Sequence, residues 1–132
     1  MKTNLDHLFK TNKNAETDGV IFKLSDTVNF IVRRYGGANE QKVKAAMAKY
    51  YKPYARQVEA GTLPASKERE ILVKAFVSAC MVGWEGLEAD GTKLEYTPEN
   101  AEKLFTDMPD LFNTIFDYAQ TLSTFREDVG NS

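Results

Sequence analysis

Chemistry-bearing residues are scarce in this chain. It has one cysteine and one histidine in 132 residues. One cysteine excludes an internal disulfide framework and a Cys-rich zinc site. One histidine excludes a His-rich metal site and leaves a Ser-His-Asp arrangement a single possible base. No apolar run reaches the roughly 18 residues that a membrane-spanning helix needs. The Met-Lys-Thr start is followed by neither an apolar stretch nor a small-residue cleavage site, so secretion is not signalled. There is no GxxxxGK followed by Ser or Thr, no GxGxxG after a strand, and no GxSxG. Neither charge sign dominates. The net charge is −2 and the pI about 5.5, which argues against a generally basic nucleic-acid coat. These absences predict a soluble intracellular protein that is not an enzyme and carries no catalytic residues, cofactor or metal.

What is present is ordinary globular composition, 42% hydrophobic and 27% charged, in a length that suits one domain over residues 1–132. The charge is uneven. Residues 1–60 hold 11 Lys and Arg against 6 Asp and Glu, and residues 61–132 hold 6 against 13, so the halves carry +5 and −7. Opposite halves can attract each other within one chain or between copies, and head-to-tail contacts between copies build rings or open helices. Ordinary scatter of solvated charge is the plainer alternative.

The expected fold is mainly α, one domain of about four to five helices with a small N-terminal β-hairpin. Leu5, Leu8 and Phe9 fit one short amphipathic turn. The polar stretch 11–19 reads as loop, and residues 1–18 and 127–132 as flexible. Residues 20–24 and 28–35 are rich in β-branched and aromatic side chains, separated by Ser25-Asp26-Thr27, which predicts a hairpin. Val28, Phe30 and Val32 share one of its faces. Asn39 is the expected N-cap of a helix whose inner stripe includes Val43, Met47, Tyr50 and Tyr54, kinked at Pro53. Ser66 is the expected cap of a central helix running through 71–82, where Lys74 and Ser78 are the only polar residues. Asp90-Gly91 predicts a tight turn, Thr97-Pro98 a helix start, and Pro109 another. The last helix carries Leu111, Phe112, Ile115, Phe116, Tyr118, Ala119, Leu122 and Phe125. This arc near half the circumference exceeds the roughly 100° needed to sit on a core.

Several stretches invite functional readings. With Asp90-Gly91 as fifth and sixth residues of a calcium loop, Gly86 and Thr97 occupy the first and twelfth positions, so both key carboxylates are missing. Glu85, Glu88 and Asp90 near Trp84 lack anything to fix them around a reacting centre. Lys42, Lys49, Lys52 and Arg56 cluster on one helical side, away from the tyrosines. That side is a candidate self-association surface, and alternatively the phosphate-binding face of a small nucleic-acid-binding regulator using helix 42–56. Cys80 reads as an inert core thiol, and Trp84 as a packing anchor.

One stretch carries a resemblance. Gly83-Trp84-Glu85-Gly86-Leu87, then Asp90-Gly91-Thr92-Lys93-Leu94, then Tyr96-Thr97-Pro98-Glu99-Asn100-Ala101 resembles the tail assembly chaperones of long-tailed (siphovirus-type) bacteriophages. So does the front, with its Leu-Phe-Lys-Thr segment, the spacer ending in Asp18-Gly19-Val20, and a helix containing Lys52-Pro53-Tyr54. The resemblance implies a scaffold in the host cytoplasm, absent from the mature virion. It would bind the tape measure protein and keep it soluble until the tail tube polymerises. The family implies self-association, and a frameshifted long form that recruits the tail tube protein. This chain resembles the short form. The wide apolar arc makes Phe112, Phe116, Leu122 and Phe125 the candidate contacts with the tape measure protein.

Overall fold

A computed structural model describes residues 3–126. Among them the chain forms α1 (Asp6–Phe9), α2 (Lys13–Asp18), β1 (Val20–Lys23), β2 (Asn29–Val32), α3 (Glu40–Tyr51), α4 (Ala55–Ala60) and α5 (Ala65–Cys80). There follow β3 (Met81–Glu85), β4 (Glu88–Ala89), β5 (Thr92–Lys93), α6 (Pro98–Asp107) and α7 (Pro109–Gln120). The fold is mainly α, and its strands amount to more than a small hairpin.

The front hairpin forms as its composition predicts, pairing Val20 with Val32 and Phe22 with Phe30. Its turn closes where Leu24 and Ser25 N–H both donate to the Val28 carbonyl, at 3.0 and 3.2 Å. Strand β3 then adds to the free edge of β2, with Phe30 opposite Trp84, giving a three-stranded antiparallel sheet in the order β1-β2-β3. The apolar run 71–82 is therefore not all helix. Helix α5 stops at Cys80 and the backbone becomes extended at Met81. The open edge of β2 offers Met81–Glu85 ladder hydrogen bonds, and pairing overrides the local helical pattern.

Other local expectations divide. Thr97 caps α6, its hydroxyl accepting from Asn100 N–H at 3.0 Å. Asp90 and Gly91 both take positive φ, 53° and 77°, as a tight two-residue hairpin turn requires. The Pro53 break is real. A 3₁₀ turn over Lys52–Tyr54 separates α3 from α4. Ser66 caps nothing, because α5 starts one residue earlier, behind Pro64. Asn39 does not cap α3 through its side chain. It is buried, and its amide donates to the carbonyls of Arg34 and Ala79.

The predicted loop 11–19 contains α2 instead, capped by Asn12, whose side chain accepts from Ala15 N–H. Thr11 bridges to Arg126, and Asn12 N–H donates to the Phe125 carbonyl at 2.9 Å, so this part of the front end is tied down. Residues 1–2 and 127–132, included in the expected flexible ends, lie outside the described residues.

Phe76 on α5 sits at the centre of the core, fully buried, with the rings of Phe105 (6.3 Å) and Phe112 (5.5 Å) against it. Trp84 anchors one end, as expected. Its indole N–H donates to the Leu94 carbonyl at 2.8 Å, and its ring meets Tyr96 edge-on at 4.9 Å. Gly86 is required where β3 ends. A Cβ there would stand 1.7 Å from the Thr27 carbonyl oxygen.

Candidate interaction surfaces

The apolar arc of the last helix turns inward. Phe112 is 1% exposed and Phe125 0%, while Phe116 packs partly buried against the same cluster. The Phe112 ring lies 5.5 Å from each of Phe76, Phe105 and Phe116. The Arg69 guanidinium covers it at 5.5 Å and donates to the Pro109 carbonyl. The helix ends at Gln120, and a 3₁₀ turn over Leu122–Phe125 folds Phe125 back into the core. Phe112 and Phe125 thus do not form a free contact face. The reason is that α7 closes over Phe76 and Phe105, which a helix with a narrower stripe would leave uncovered. Leu122 lies in that turn, and its side chain is outside the described residues.

The basic residues behave differently. Lys42, Lys49, Lys52 and Arg56 are all exposed, along α3, the Pro53 turn and α4. Among the described residues they form no ion pair, and the Lys49 ammonium lies 5.4 Å from the Tyr50 ring centre. The exposed acidic residues Glu85, Glu88, Asp90, Glu95 and Glu99 lie on or beside β3, β4, β5 and the start of α6. The two charge excesses therefore belong to different elements.

Large apolar side chains remain outside the core elsewhere. Ile21 (57% exposed), Leu24 and Val82 lie in or beside the sheet, Leu5, Leu8 and Phe9 around α1, Val58 on α4, and Met108 between α6 and α7.

A buried polar clasp has no local mark in the sequence. Glu16 is 1% exposed. Its carboxylate accepts from Arg34 Nη1 at 2.6 Å and from Ala38 N–H at 2.7 Å. These partners lie 18 and 22 residues away, so no periodicity points to them. Burial alone would raise the Glu16 pKa, but hydrogen bonds from Thr11, Ala38 and Arg34 outweigh it and hold the carboxyl below its ordinary range. Gly37, at φ +53°, closes the clasp, since a Cβ there would meet Arg34 Nη1 at 2.5 Å. The nearby Cys80 thiol is buried and pushed up to about 12 by desolvation, the opposite of what a nucleophile needs. Among the described residues no group of three or more His, Cys, Asp or Glu could hold a metal ion. No helix among them is long and apolar enough to cross a membrane.

A family model described as YdaY prophage protein matches residues 38–131, well over half of the chain. The chain belongs to the YdaY prophage protein family. It is phage-derived, and the matched stretch holds α3 to α7 together with the Trp84 anchor. No curated protein and no solved structure matches it.

Proposed function

We propose that this YdaY-family chain is a phage tail assembly chaperone. It binds the tape measure protein and keeps it soluble before the tail tube polymerises, works as a multimer in the host cytoplasm, and is left out of the mature virion. Its work is binding and not catalysis. The observation that carries the reading is an overlap. The stretch Gly83–Ala101, which bears the resemblance to such chaperones, lies wholly inside the match to a prophage family.

Because Phe112 and Phe125 are held in the core, the client contact on this reading involves apolar side chains that remain outside it. Self-association draws on the exposed Lys42, Lys49, Lys52 and Arg56 against the acidic elements of a second copy. A frameshifted long form would recruit the tail tube protein.

Co-expression tests the central claim. The tape measure protein encoded beside this gene should be recovered soluble, and co-purify, only when the chain is present. A client equally soluble without it would end the reading. The coding DNA just before the stop codon should hold a slip site with an overlapping open frame.

The exposed basic residues Lys42, Lys49, Lys52 and Arg56 favour one rival reading, a nucleic-acid-binding regulator. That reading requires a mobility shift with DNA or RNA at low salt, steeply weakened as salt rises.

A further inference from the structure

The three-stranded sheet turns one face to the core and the other outward. Val20, Phe30, Val32, Met81 and Trp84 are buried on the inner side. Strand alternation sends Ile21 and Ile31 the other way, and the register shift at Ile31/Val32 adds Val82 to them. A Cβ on Gly19 would meet the Cγ2 atoms of Val82 and Ile31 at 3.1 and 3.2 Å, so these two side chains lie together. Ile21 is 57% exposed and Val82 39%, an apolar patch open to solvent.

The outer face is ordered in rows across the strands. One row reads Ile21, Ile31, Gly83, and the next Lys23, Asn29, Glu85. Bulk and charge are therefore distributed oppositely about β2. Ile21 on β1 is balanced on β3 by Gly83, where a Cβ would meet nothing within 4 Å. Lys23 on β1 is balanced on β3 by Glu85. Both are exposed, and neither is in an ion pair among the described residues. Arg33, the next charge along β2, is turned aside, its Nε donating to the Thr17 carbonyl at 2.7 Å.

We propose that this face packs against the same face of a second copy, closing a two-fold dimer whose axis runs along β2. Rotation about that axis lays β1 of each copy over β3 of the other. Ile21 then enters the gap at Gly83 and Lys23 meets Glu85, each contact made twice, while Ile31 and Asn29 meet their own counterparts. The occupant is a second copy because the face carries its own complement in both shape and charge, which is what an isologous contact requires. Twisted sheets stack face to face at about 30°. Three strands a side make a small interface, so the dimer is weak, in roughly the micromolar range. The contact uses none of Lys42, Lys49, Lys52 and Arg56 and does not rest on the chaperone reading, so either idea can fail alone.

Sedimentation velocity of the full chain between about 1 and about 300 µM should show monomer passing to dimer. Lys23→Glu and Glu85→Lys each set like charges against one another twice, and each should weaken the dimer by about tenfold or more. Mixed in equal amounts, the two variants should pair about as tightly as the unaltered chain, since every facing charge is then opposite. Gly83→Val fills the gap without touching its own chain, and should weaken the dimer by a similar factor with circular dichroism and thermal midpoint undiminished. A chain that stays monomeric throughout overturns the proposal. So does a dimer that Gly83→Val leaves intact, or a variant mixture that pairs no better than its components. A monomeric chain that loses co-purification with the tape measure protein on Gly83→Val also overturns it, because the face would then belong to that partner.

Discussion

Helices α7 and α3 reverse what their side chains suggest on first reading. The apolar arc of α7 is wide enough to serve two masters, yet its phenylalanines close around Phe76 and its contact surface is internal. Helix α3 has an ordinary inner stripe, but Lys42 and Lys49 on it, with Lys52 and Arg56 beyond it, stand exposed without ion-pair partners among the described residues, while Lys44 reaches Glu40 at 3.7 Å. Surplus apolar surface on one helix signals a partner only when no other element of the same chain needs covering. Solvated charge without a partner is weaker in energy but leaves a surface open.

The sharpest way to break this comparison is to truncate the aromatic cluster. Phe112→Ala or Phe125→Ala should each cost about 3–5 kcal/mol in urea unfolding, the usual penalty for emptying a buried ring site. A loss below about 0.5 kcal/mol would mean that these rings are surface after all.

The clasp between α2 and the end of β2 comes next. Glu16→Gln should cost about 3 kcal/mol, because it leaves Arg34 beside a buried neutral amide. The pH dependence has a fixed sign. The folded carboxyl titrates below its ordinary value of about 4.3, so its contribution is complete above that pH and disappears as pH falls through the depressed folded value. Acid unfolding of the Glu16→Gln variant should lack this component.

Gly86→Ala should cost about 2 kcal/mol or more, since a side chain there collides with the Thr27 carbonyl and the glycine's φ is +82°. Thr97→Ala, which removes only a cap, should cost about 1 kcal/mol. At the small end, Lys52→Ala and Arg56→Ala should change stability by less than about 0.5 kcal/mol. On the multimer reading, the same pair should reduce concentration-dependent light scattering. If the scattering is unchanged, the basic side plays no part in assembly.

Much of the fold is readable from the residues. The hairpin, the Pro53 break, the Asp90-Gly91 turn, the Thr97 cap and the Trp84 anchor all rest on local chemistry, which a sequence displays directly. What fails depends on distant partners. Met81–Glu85 becomes a strand because β2 offers an edge, and nothing near Met81 announces β2. Glu16 lies in a polar stretch that reads as loop, and its buried role depends on Arg34 and Ala38. Asn39 holds the N-cap position of α3 as expected, but its side chain is drawn into the core because the carbonyls of Arg34 and Ala79 converge on it. The surfaces are less legible still. The wide stripe of α7 looks alike whether its cover is Phe76 or another molecule.

The family match begins at residue 38, after β1 and β2 have already been made. A fragment cut to that portion would keep β3 but lose the strand that it zips to, along with the Glu16 carboxylate that receives Ala38 N–H. Its indole and the Phe105 ring would lose the shelter of Phe30, and a bare row of amides would invite edge-to-edge sticking. Residues 11–37 are thus an integral part of the fold, and any shortened version for laboratory use has to keep Thr11 onward to remain well behaved.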